Sequence, residues 1–535
     1  MKTFLRLEEI RIGLNEDEQI LWEKIQRILQ LPKGEIQSYK IAKKSIDSRD
    51  KRNILFIYSV DVELHNQSIP LNKPNLIKHR AKFVEEFIYT INQIPFHTER
   101  KRPVVVGTWP AGLFAGIALA RAWLNPIIIE RWKAVEGRLK DVGIFMKWWP
   151  LDENSNIQFW EGGAGTFSDG KLYTMINDPR SKYVFEELVE AGAPEEILYT
   201  AKAHVGTDKL RILIRNLRNK IISLGAEIRF STCMTDIIIE NNVIKGIIIN
   251  NNETIETDTL ILAIGHSARD TYEMIYERWI VMAQKPFSMG VRIEHDANMI
   301  NRSQFWDACV NPKLGTASYK LVTHGWDTRT VYSFCMCPWG HVVPASSEHG
   351  RLCINGMSEY RQNSGISNSA LMVPVNPEDF GSHHPLAWVE FQRKWEAKAF
   401  EIGWSDYHAP AQLVWDFLAG KPSTKEWPLK TTYLPGVKMT DISECLPDFI
   451  TSALRKWLLD LDRKIKWFAS PDALLIALEA RSSAVVRINR DKETLQSNII
   501  WIYPAWEWAG YAGGITSSAI DGLIIAEKII QTYLK

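Results

Sequence analysis

An apolar strand, a glycine-bearing turn, a helix and a second apolar strand follow one another near residue 110. Val104–Val106 is short and wholly apolar, residues 111–122 have the spacing of a helix, and Ile127–Ile129 ends at Glu130. Two buried strands joined by a helix in this way form a βαβ unit with a parallel sheet. The sequence therefore predicts an α/β fold built on a parallel sheet.

The chain has 535 residues, more than one hydrophobic core usually organises, so we expect two or three domains. Its 64 lysines and arginines balance 63 acids, which gives no field to attract nucleic acid or an anionic membrane. No apolar run has the length of a signal peptide core or a membrane span. Six scattered cysteines without a CxxC pair indicate free thiols and no structural zinc. We expect a cytoplasmic protein with a small-molecule substrate.

Changes of pattern divide the chain into four segments. Residues 1–95 form a small α+β domain in this prediction, and residues 96–275 contain the βαβ unit. Residues 276–467 are mixed in pattern and rich in turns, so we expect an inserted substrate domain. Residues 468–535 end in a helix and are expected to return to the first sheet.

Local patterns also predict individual elements within these segments. We expect helices at 16–29, 76–91 and 208–224, strands at 54–64 and 227–230, and a hairpin turn at Asn241-Asn242. Between residues 33 and 52, seven basic residues face three acids. That run is either a nucleic-acid patch or, as we favour, a solvated face.

The turn after the first strand of the βαβ unit has most parts of a dinucleotide site. Such a site needs a tight glycine turn, a helix N-terminus aimed at a pyrophosphate, and an acid about 20 residues on for the ribose hydroxyls. The middle glycine, whose missing side chain makes room for the pyrophosphate, is replaced by tryptophan. The turn and helix start contain Gly107, Trp109, Pro110, Ala111 and Gly112, and the acid is Glu130.

Three further segments suit a cofactor that carries phosphate. A glycine-rich loop can wrap its backbone around phosphate and a ribityl chain, although its alternative interpretation is an ordinary surface loop. This loop contains Gly162, Gly163, Gly165, Thr166, Asp169 and Lys171. A strand ends at Gly265. Near the end of the chain a carboxylate precedes a glycine-rich helix start, with Glu507, Gly510, Gly513, Gly514 and Ile515.

Together these motifs resemble the bacterial FAD-dependent dehydrogenases called NAD(FAD)-utilising, which are relatives of the glutathione-reductase-type flavoproteins. The resemblance covers residues from about 50 to 530, and its signatures lie at 159–171, 263–270, 333–338, 468–473 and 503–515. It implies a Rossmann-like FAD-binding domain with an inserted mixed α+β domain and a small N-terminal α+β domain. It also implies that FAD is held by the segments named above, together with Arg131 and Met234.

The sequence departs from the family pattern in one systematic way. It has 21 tryptophans against 20 phenylalanines and 16 tyrosines, and many stand where the family has glycine. These are Trp109, Trp123, Trp132, Trp160, Trp339, Trp415, Trp467, Trp506 and Trp508. Either the site has degenerated, or UGA codons that the organism uses for glycine have been translated as tryptophan, which we favour. Indoles at 109, 506 and 508 are expected to exclude FAD from the family pose.

The expected reaction is hydride transfer through bound flavin to or from a substrate that the sequence does not identify. NAD(P)H is left open as electron donor, because the chain shows no second dinucleotide fingerprint. His266 and Arg481 are candidate catalytic residues. Each also has a non-catalytic interpretation: His266 as a histidine whose hydrogen bonds are satisfied within the protein, and Arg481 as an arginine that faces solvent. The Cys335 and Cys337 thiols are interpreted as a structural pair. The competing function is a cofactor-free scaffold or RNA-binding protein with a degenerate flavin site.

Overall fold

The structure is a computed structural model. It describes the chain except residues 1, 33, 67–68, 96–99, 109, 149, 154, 159–160, 162–169, 173–175, 326–327, 426, 506–513 and 535.

The first 85 residues form an antiparallel sheet with two helices. The elements are β1 (Thr3–Gly13), α1 (Ile20–Leu29), β2 (Ile36–Asp47), β3 (Leu55–Leu64), α2 (Pro74–Lys78) and β4 (Lys82–Glu85). The sheet order is β2-β3-β1-β4. The predicted first helix and the strand at 54–64 are confirmed. The predicted helix at 76–91 is wrong, because α2 ends at Lys78, the chain reverses at Arg80 with φ of +45°, and β4 then pairs with β1.

The basic run between residues 33 and 52 is largely the edge strand β2. Its lysines have acidic partners: Lys40 Nζ lies 2.9 Å from Glu86 Oε1, and Lys44 Nζ lies 2.6 Å from Glu18 Oε2. Lysines on an edge strand also discourage pairing with another sheet. These contacts fit the interpretation as a solvated face.

A parallel sheet and its helices follow. The elements are β5 (Val104–Val106), α3 (Ala111–Arg121), β6 (Ile127–Ile129), α4 (Val135–Trp148), α5 (Arg180–Glu190), α6 (Thr207–Ser223), β7 (Glu227–Arg229), β8 (Met234–Glu240), β9 (Val243–Ile249), β10 (Glu253–Glu256), β11 (Leu260–Leu262) and α7 (Arg269–Glu277). Both β6 and β11 pair with β5 in parallel, opposite Val104 through Ile127 and Leu260. The βαβ prediction is confirmed, as is the hairpin turn, where Asn241 and Asn242 both have positive φ.

The inserted segment builds a second, mostly antiparallel sheet. Its elements are β12 (Met282–Gln284), β13 (Phe287–Asp296), α8 (Ala297–Phe305), β14 (Tyr332–Cys337), β15 (His341–Pro344), β16 (Ile354–Met357), β17 (Ile366–Val375), α9 (Ala387–Ile402), β18 (Ala409–Leu413), α10 (Val414–Ala419), β19 (Val437–Met439), α11 (Asp448–Lys464), β20 (Leu474–Glu479) and β21 (Val486–Ile488). The six-stranded sheet has the order β14-β17-β13-β20-β18-β19.

The chain end returns to the parallel sheet. Strand β22 (Ile502–Pro504) pairs with β11 in parallel, and α12 (Ile515–Tyr533) packs on α3. The sheet order is therefore β22-β11-β5-β6-β7. The predicted boundary at residues 467 and 468 is corrected, because β20 lies in the middle of the inserted sheet and β21 pairs with β12. The return to the first sheet begins after Ile488.

None of the helices in the described part of the chain combines the length and apolar character needed to span a membrane. The apolar strands are buried instead within the protein. Val104, Ile129 and Leu260 belong to the same buried cluster as the strands of the inserted sheet, whereas α3 and α12 belong to a second cluster on the other face. The parallel sheet is therefore covered on both faces, as its continuous apolar strands require.

Candidate functional site

The turn after β5 contains two positions that only glycine fits. Gly107 has φ of +99°, and its amide donates to the carbonyl oxygen of Ile129 over 2.9 Å. A Cβ atom at Gly107 would overlap the carbonyl oxygen of Ala263, and one at Gly112 would overlap the carbonyl oxygen of Gly107. Such close approach of backbone to backbone is the geometry of a pyrophosphate-binding turn.

Two helices begin at the same edge of the parallel sheet, because β5 leads into α3 and β22 leads towards α12. Pro110 is the N-cap of α3 and Gly514 is the N-cap of α12, and neither residue type has a side-chain oxygen that could cap a helix. The two helices cross closely, since a Cβ atom at Gly522 would overlap the carbonyl oxygen of Ala111. Paired helix N-termini of this kind favour an anion at the sheet edge.

Glu130 and the turn form one hydrogen-bonded unit. The hydroxyl of Thr108 donates to Glu130 Oε2 over 2.6 Å, and the Thr108 amide donates to the same oxygen over 3.2 Å. Burial raises the pKa of Glu130, and the hydrogen bonds from Thr108 oppose this shift. The acid thus lies at the end of β6 directly against the turn, in the place where a dinucleotide site requires a ribose partner.

The residues after Glu130 fix the neighbouring helix. Both terminal nitrogens of Arg131 donate to the carboxylate of Asp270 over 2.8 Å, near the start of α7. The guanidinium also lies 4.4 Å from the ring centre of Trp132, whose side chain is buried. An indole therefore fills space next to the ribose acid, at a position where the resemblance expects glycine.

Lys171 and Leu172 connect the parallel-sheet domain to the inserted sheet. Lys171 Nζ donates to the carbonyl oxygen of Met336 in β14. The hydroxyl of Thr516, in the first turn of α12, donates to the carbonyl oxygen of Leu172 over 2.6 Å. The segment that the resemblance assigns to FAD therefore ends between the start of α12 and the inserted sheet.

Glu161, at the start of the same segment, is buried and paired. Its Oε2 lies 2.7 Å from Arg218 NH1 and accepts the Val135 amide over 3.0 Å. Burial raises the pKa of Glu161 to about 7, against the effect of Arg218. This carboxylate holds α4 against α6 and so positions the chain that enters the loop.

Several predicted site residues lie outside the described residues. They are Trp109, Gly162, Gly163, Gly165, Thr166, Asp169, Glu507, Gly510 and Gly513, together with Trp160, Trp506 and Trp508. The described residues of the site, with two glycine-only positions at the turn, a buried acid and two helix starts, fit a dinucleotide.

Two predicted site residues flank this edge. Met234 begins β8 and is buried. Gly265 follows β11 and has φ of +79°, while a Cβ atom there would meet open space. Gly265 is thus required by its backbone conformation and not by crowding.

His266 and Arg481 lie in a buried polar cluster between the two sheets. His266 Nε2 is 2.9 Å from the carbonyl oxygen of Arg481, and burial lowers the pKa of His266 to about 3. Arg481 is paired with Glu396 through contacts of 2.7 and 2.8 Å. The solvent-facing alternative for Arg481 is wrong, because the side chain is buried. These contacts favour a structural histidine and an arginine that ties α9 to the strand end.

A second group of residues lies beside Lys171. Cys335 Sγ and Cys337 Sγ are 4.0 Å apart at the end of β14. Arg292 is fully buried next to them, with its NH1 donating to the carbonyl oxygen of Cys335 over 3.2 Å and its Nε 2.7 Å from Glu479 Oε2. Burial raises the pKa of Glu479 to about 7. Sequence reasoning missed Arg292 and Glu479, because no local pattern links strands this far apart in the chain.

Among the tryptophans that the structure describes, seven have a positive φ. They are Trp123, Trp279, Trp306, Trp339, Trp404, Trp467 and Trp501. A side chain with a Cβ atom is disfavoured in this conformation, and glycine is the default there. Three of the seven were expected glycine positions, and four were not foreseen. Trp132 and Trp415 from the expected set do not show a positive φ.

Two of these tryptophans end helices in the way that glycine does elsewhere in the chain. Trp123 donates to the carbonyl oxygen of Ala120, and Leu124 donates to that of Leu119. Gly225, after α6, makes the same pair of bonds with its successor, and so does Trp279 after α7. This is the Schellman motif, whose left-handed residue is usually glycine.

Comparison with known proteins places the chain among relatives. A family model described as "FAD-dependent protein, C-terminal domain-like" matches residues 286–482, and a domain of unknown function matches residues 5–63. An uncharacterised protein of Clostridium beijerinckii is 43% identical over 532 residues, covering 99% of each chain.

Solved structures give weaker likenesses. A mutant of halogenase PltM in complex with FAD has a TM-score of 0.38 and 9% identity, covering 82% of this chain and 70% of that one. L-proline dehydrogenase from P. horikoshii has a TM-score of 0.33 and 12% identity, covering 81% and 94%.

Proposed function

This chain belongs to a family of FAD-dependent flavoproteins, and we propose that it is an FAD-dependent dehydrogenase of a small-molecule substrate. The resemblance to FAD-dependent flavoproteins is thereby confirmed, as is the α/β class with its parallel sheet. The substrate and the direction of electron flow belong to the proposal.

One observation carries the proposal, namely the glycine turn at Gly107 with Glu130 hydrogen-bonded to it. In this arrangement the backbone at Gly107 and Gly112 would hold the pyrophosphate, and Glu130 would hold a ribose. The first turn of α12, after Gly514, would face the same phosphates. Hydride transfer is the chemistry that FAD supplies when bound.

The chain's own contribution is to bind, orient and exclude water. Lys171 and Thr516 hold the loop end between the two sheets, so the inserted sheet closes over the edge where the cofactor is proposed to bind. His266 is uncharged at neutral pH because its pKa is about 3. We therefore propose no proton transfer by His266 and keep Arg481 as a positioning residue for the inserted domain.

The competing RNA-binding function has less support. Two lysines of the basic run in the N-terminal domain are paired with acids, in the Lys40–Glu86 and Lys44–Glu18 ion pairs.

Anaerobic reduction of the bound flavin tests the proposed reaction. A protein carrying Trp109→Gly, Trp506→Gly and Trp508→Gly is loaded with FAD and mixed with NADH, NADPH and panels of small alcohols, amines and hydroxy acids. We expect at least one donor to bleach the flavin absorbance, at a rate within the range of turnover rates of ordinary dehydrogenases. A loaded protein that no donor bleaches, and whose chemically reduced flavin no acceptor reoxidises, contradicts an oxidoreductase function.

A further inference from the structure

We propose that Cys335 and Cys337 form a redox-active dithiol that closes to an intrachain disulfide and reacts with disulfide substrates. In the described structure their Sγ atoms are 4.0 Å apart, and closing the bond requires a further approach of about 2 Å. The proposal goes beyond the flavin site and does not depend on it.

The local backbone brings the two thiols together. In a regular strand, residues two apart lie about 7 Å apart along the same face. Here the pairing of β14 with β17 is interrupted between Phe334 and Cys337, and Cys335 has φ of +42°. A bulge and a left-handed residue that is not glycine cost free energy, and such features concentrate at functional sites.

The charges around the pair favour a thiolate. The guanidinium of Arg292 contacts the carbonyl oxygen of Cys335, and Lys171 contacts that of Met336, the residue between the two cysteines. Positive groups near a cysteine stabilise its ionised form, which is the nucleophile. Glu479 pairs with Arg292 and also lies close enough to Cys335 for the two negative charges to repel, so its carboxylate opposes part of this effect.

The two thiols also differ in exposure. Cys335 is half-buried, and Cys337 is fully buried. This division matches an attacking thiol that meets the substrate and a resolving thiol behind it. The short distance and the nearby positive charges concern both thiols, whereas exposure distinguishes them.

The chemistry balances without a further reactant. The Cys335 thiolate attacks one sulfur of a substrate disulfide and expels one thiolate, which takes up a proton. The Cys337 thiol loses its proton, its sulfur attacks Cys335 Sγ in the mixed disulfide, and the second substrate thiolate leaves and is protonated. One substrate disulfide is reduced to two thiols, and the cysteine pair is oxidised to a disulfide.

The test uses the full chain with Cys233→Ser and Cys309→Ser, which removes the other two half-buried thiols. The protein is equilibrated with oxidised and reduced glutathione at increasing ratio, quenched with acid, alkylated and digested. We expect the peptide containing residues 335–337 to lose two hydrogens reversibly. Cys337→Ser should accumulate a persistent glutathione adduct at Cys335, and Cys335→Ser should form none, because its remaining thiol is buried.

Two results would overturn the proposal. One is a pair that stays fully alkylatable at the highest ratio of oxidised glutathione. The other is equal adduct formation in the two serine variants. If a serine variant does not fold, the alkylation rate of Cys335 in the unaltered chain is compared with that of Cys309, and a Cys335 that reacts no faster also overturns it.

A separate observation, the left-handed tryptophans, carries a second inference. We infer that positions 123, 279, 306, 339, 404, 467 and 501 are glycine in the protein that the organism makes, through UGA codons read as glycine. Trp306 has φ of 51° and ψ of −134°, a region essentially restricted to glycine. Trp279 is 86% exposed, so its indole packs against little of the protein.

Mass spectrometry of the protein purified from its source organism tests this inference. We expect glycine masses in the peptides that cover positions 123, 279, 339 and 467, and UGA at the matching codons of the gene. Trp388, buried in a right-handed helix, serves as the control tryptophan. Tryptophan masses at the left-handed positions, or UGG codons there, would overturn the inference.

Discussion

At the scale of single residues, backbone conformation separates two kinds of tryptophan. Trp279 ends α7 with φ of +60° and an exposed side chain, in the same hydrogen-bond pattern that Gly225 makes after α6. A residue with a Cβ atom pays about 1 kcal/mol or more in this conformation. The indole at Trp279 gains little packing in return.

We therefore expect Trp279→Gly to raise the free energy of unfolding by about 1 kcal/mol. Trp279→Ala should gain clearly less, because alanine keeps the Cβ atom. Gly225→Trp should destabilise by at least as much, because a Cβ atom there would also crowd the Asn125 side chain. Urea unfolding measures all three. Equal stability of the glycine and alanine variants would show that the φ angle is not the cause.

His266 gives a prediction about pH. Its folded pKa of about 3 lies below the ordinary value of 6.5, so below pH 6.5 the unfolded chain binds a proton that the folded chain does not. Stability is therefore lost as the pH falls from 6.5 towards 3, by about 1.4 kcal/mol per unit. His266→Gln keeps an N–H group for the Arg481 carbonyl oxygen and removes this titration.

The expected result is that His266→Gln gains about 2 kcal/mol relative to the unaltered chain between pH 6.5 and pH 5. Urea unfolding at the two pH values measures the difference, and His295, also buried, cancels because both proteins contain it. If the two proteins lose the same stability between pH 6.5 and pH 5, His266 is not held neutral in the folded protein.

Glu130 gives a prediction about affinity. A hydrogen bond to a charged group contributes about 1.5–3 kcal/mol, so Glu130→Gln should raise the Kd for FAD by about ten-fold or more. Fluorescence titration of FAD, in the background that has glycine at 109, 506 and 508, measures the effect. Glu23→Gln, at an exposed position of α1 in the N-terminal domain, is the control, and an unchanged Kd for Glu130→Gln would remove Glu130 from the proposed site.

At the scale of elements, the crossing of α3 and α12 fixes the two helix starts at the sheet edge. A Cβ atom at Gly522 would overlap the carbonyl oxygen of Ala111, whereas one at Gly143 in α4 would meet open space. The sequence contains both glycines inside helical patterns, and only the packing distinguishes them.

Gly522→Ala should therefore destabilise by about 1–3 kcal/mol, the usual cost of overpacking. Gly143→Ala should stabilise by up to about 1 kcal/mol, since alanine favours a helix more than glycine does. Thermal unfolding of the two variants measures both signs. Similar effects at the two positions would contradict the close crossing.

Elements with strong local signals were predicted well. The run of Val104–Val106, the helix after it and the hairpin at Asn241-Asn242 are all confirmed, because period and turn chemistry are local. The helix expected at 76–91 was wrong, since pairing of β4 with β1 is non-local and overrides apolar spacing. The place of β20 in the inserted sheet moves the domain boundary. It could not be predicted from the sequence, because the pairing of β20 with its neighbours is also non-local.

The candidate site divides in the same way. Gly107, Gly112 and Glu130 stand in one local motif, and the sequence assembled them correctly into the turn at the sheet edge. The contact between Lys171 and Met336 and the pairing of Arg292 with Glu479 depend on how the inserted sheet packs. Such contacts between distant segments cannot be derived from spacing along the chain.

At the scale of the whole molecule, two sheets meet at the edge where the cofactor is proposed to bind. The parallel sheet supplies the turn, the acid and two helix starts, and the inserted sheet supplies β14 with its cysteine pair next to Lys171. The N-terminal sheet contacts this assembly through hydrogen bonds between Lys44 and residues 199–201. Lys171 therefore links the end of the loop proposed to bind FAD to the strand that carries the cysteine pair.

FAD binding by the glycine form of the protein tests the central claim most directly. The chain with Trp109→Gly, Trp506→Gly and Trp508→Gly, and the same chain with Gly112→Ala added, are purified and scanned for flavin absorbance after incubation with FAD and removal of the excess. The account predicts a yellow protein with about one FAD per chain for the first, and a large loss of flavin for the second, because its added Cβ atom overlaps the Gly107 carbonyl oxygen. A folded glycine form that stays colourless with FAD present would contradict the account.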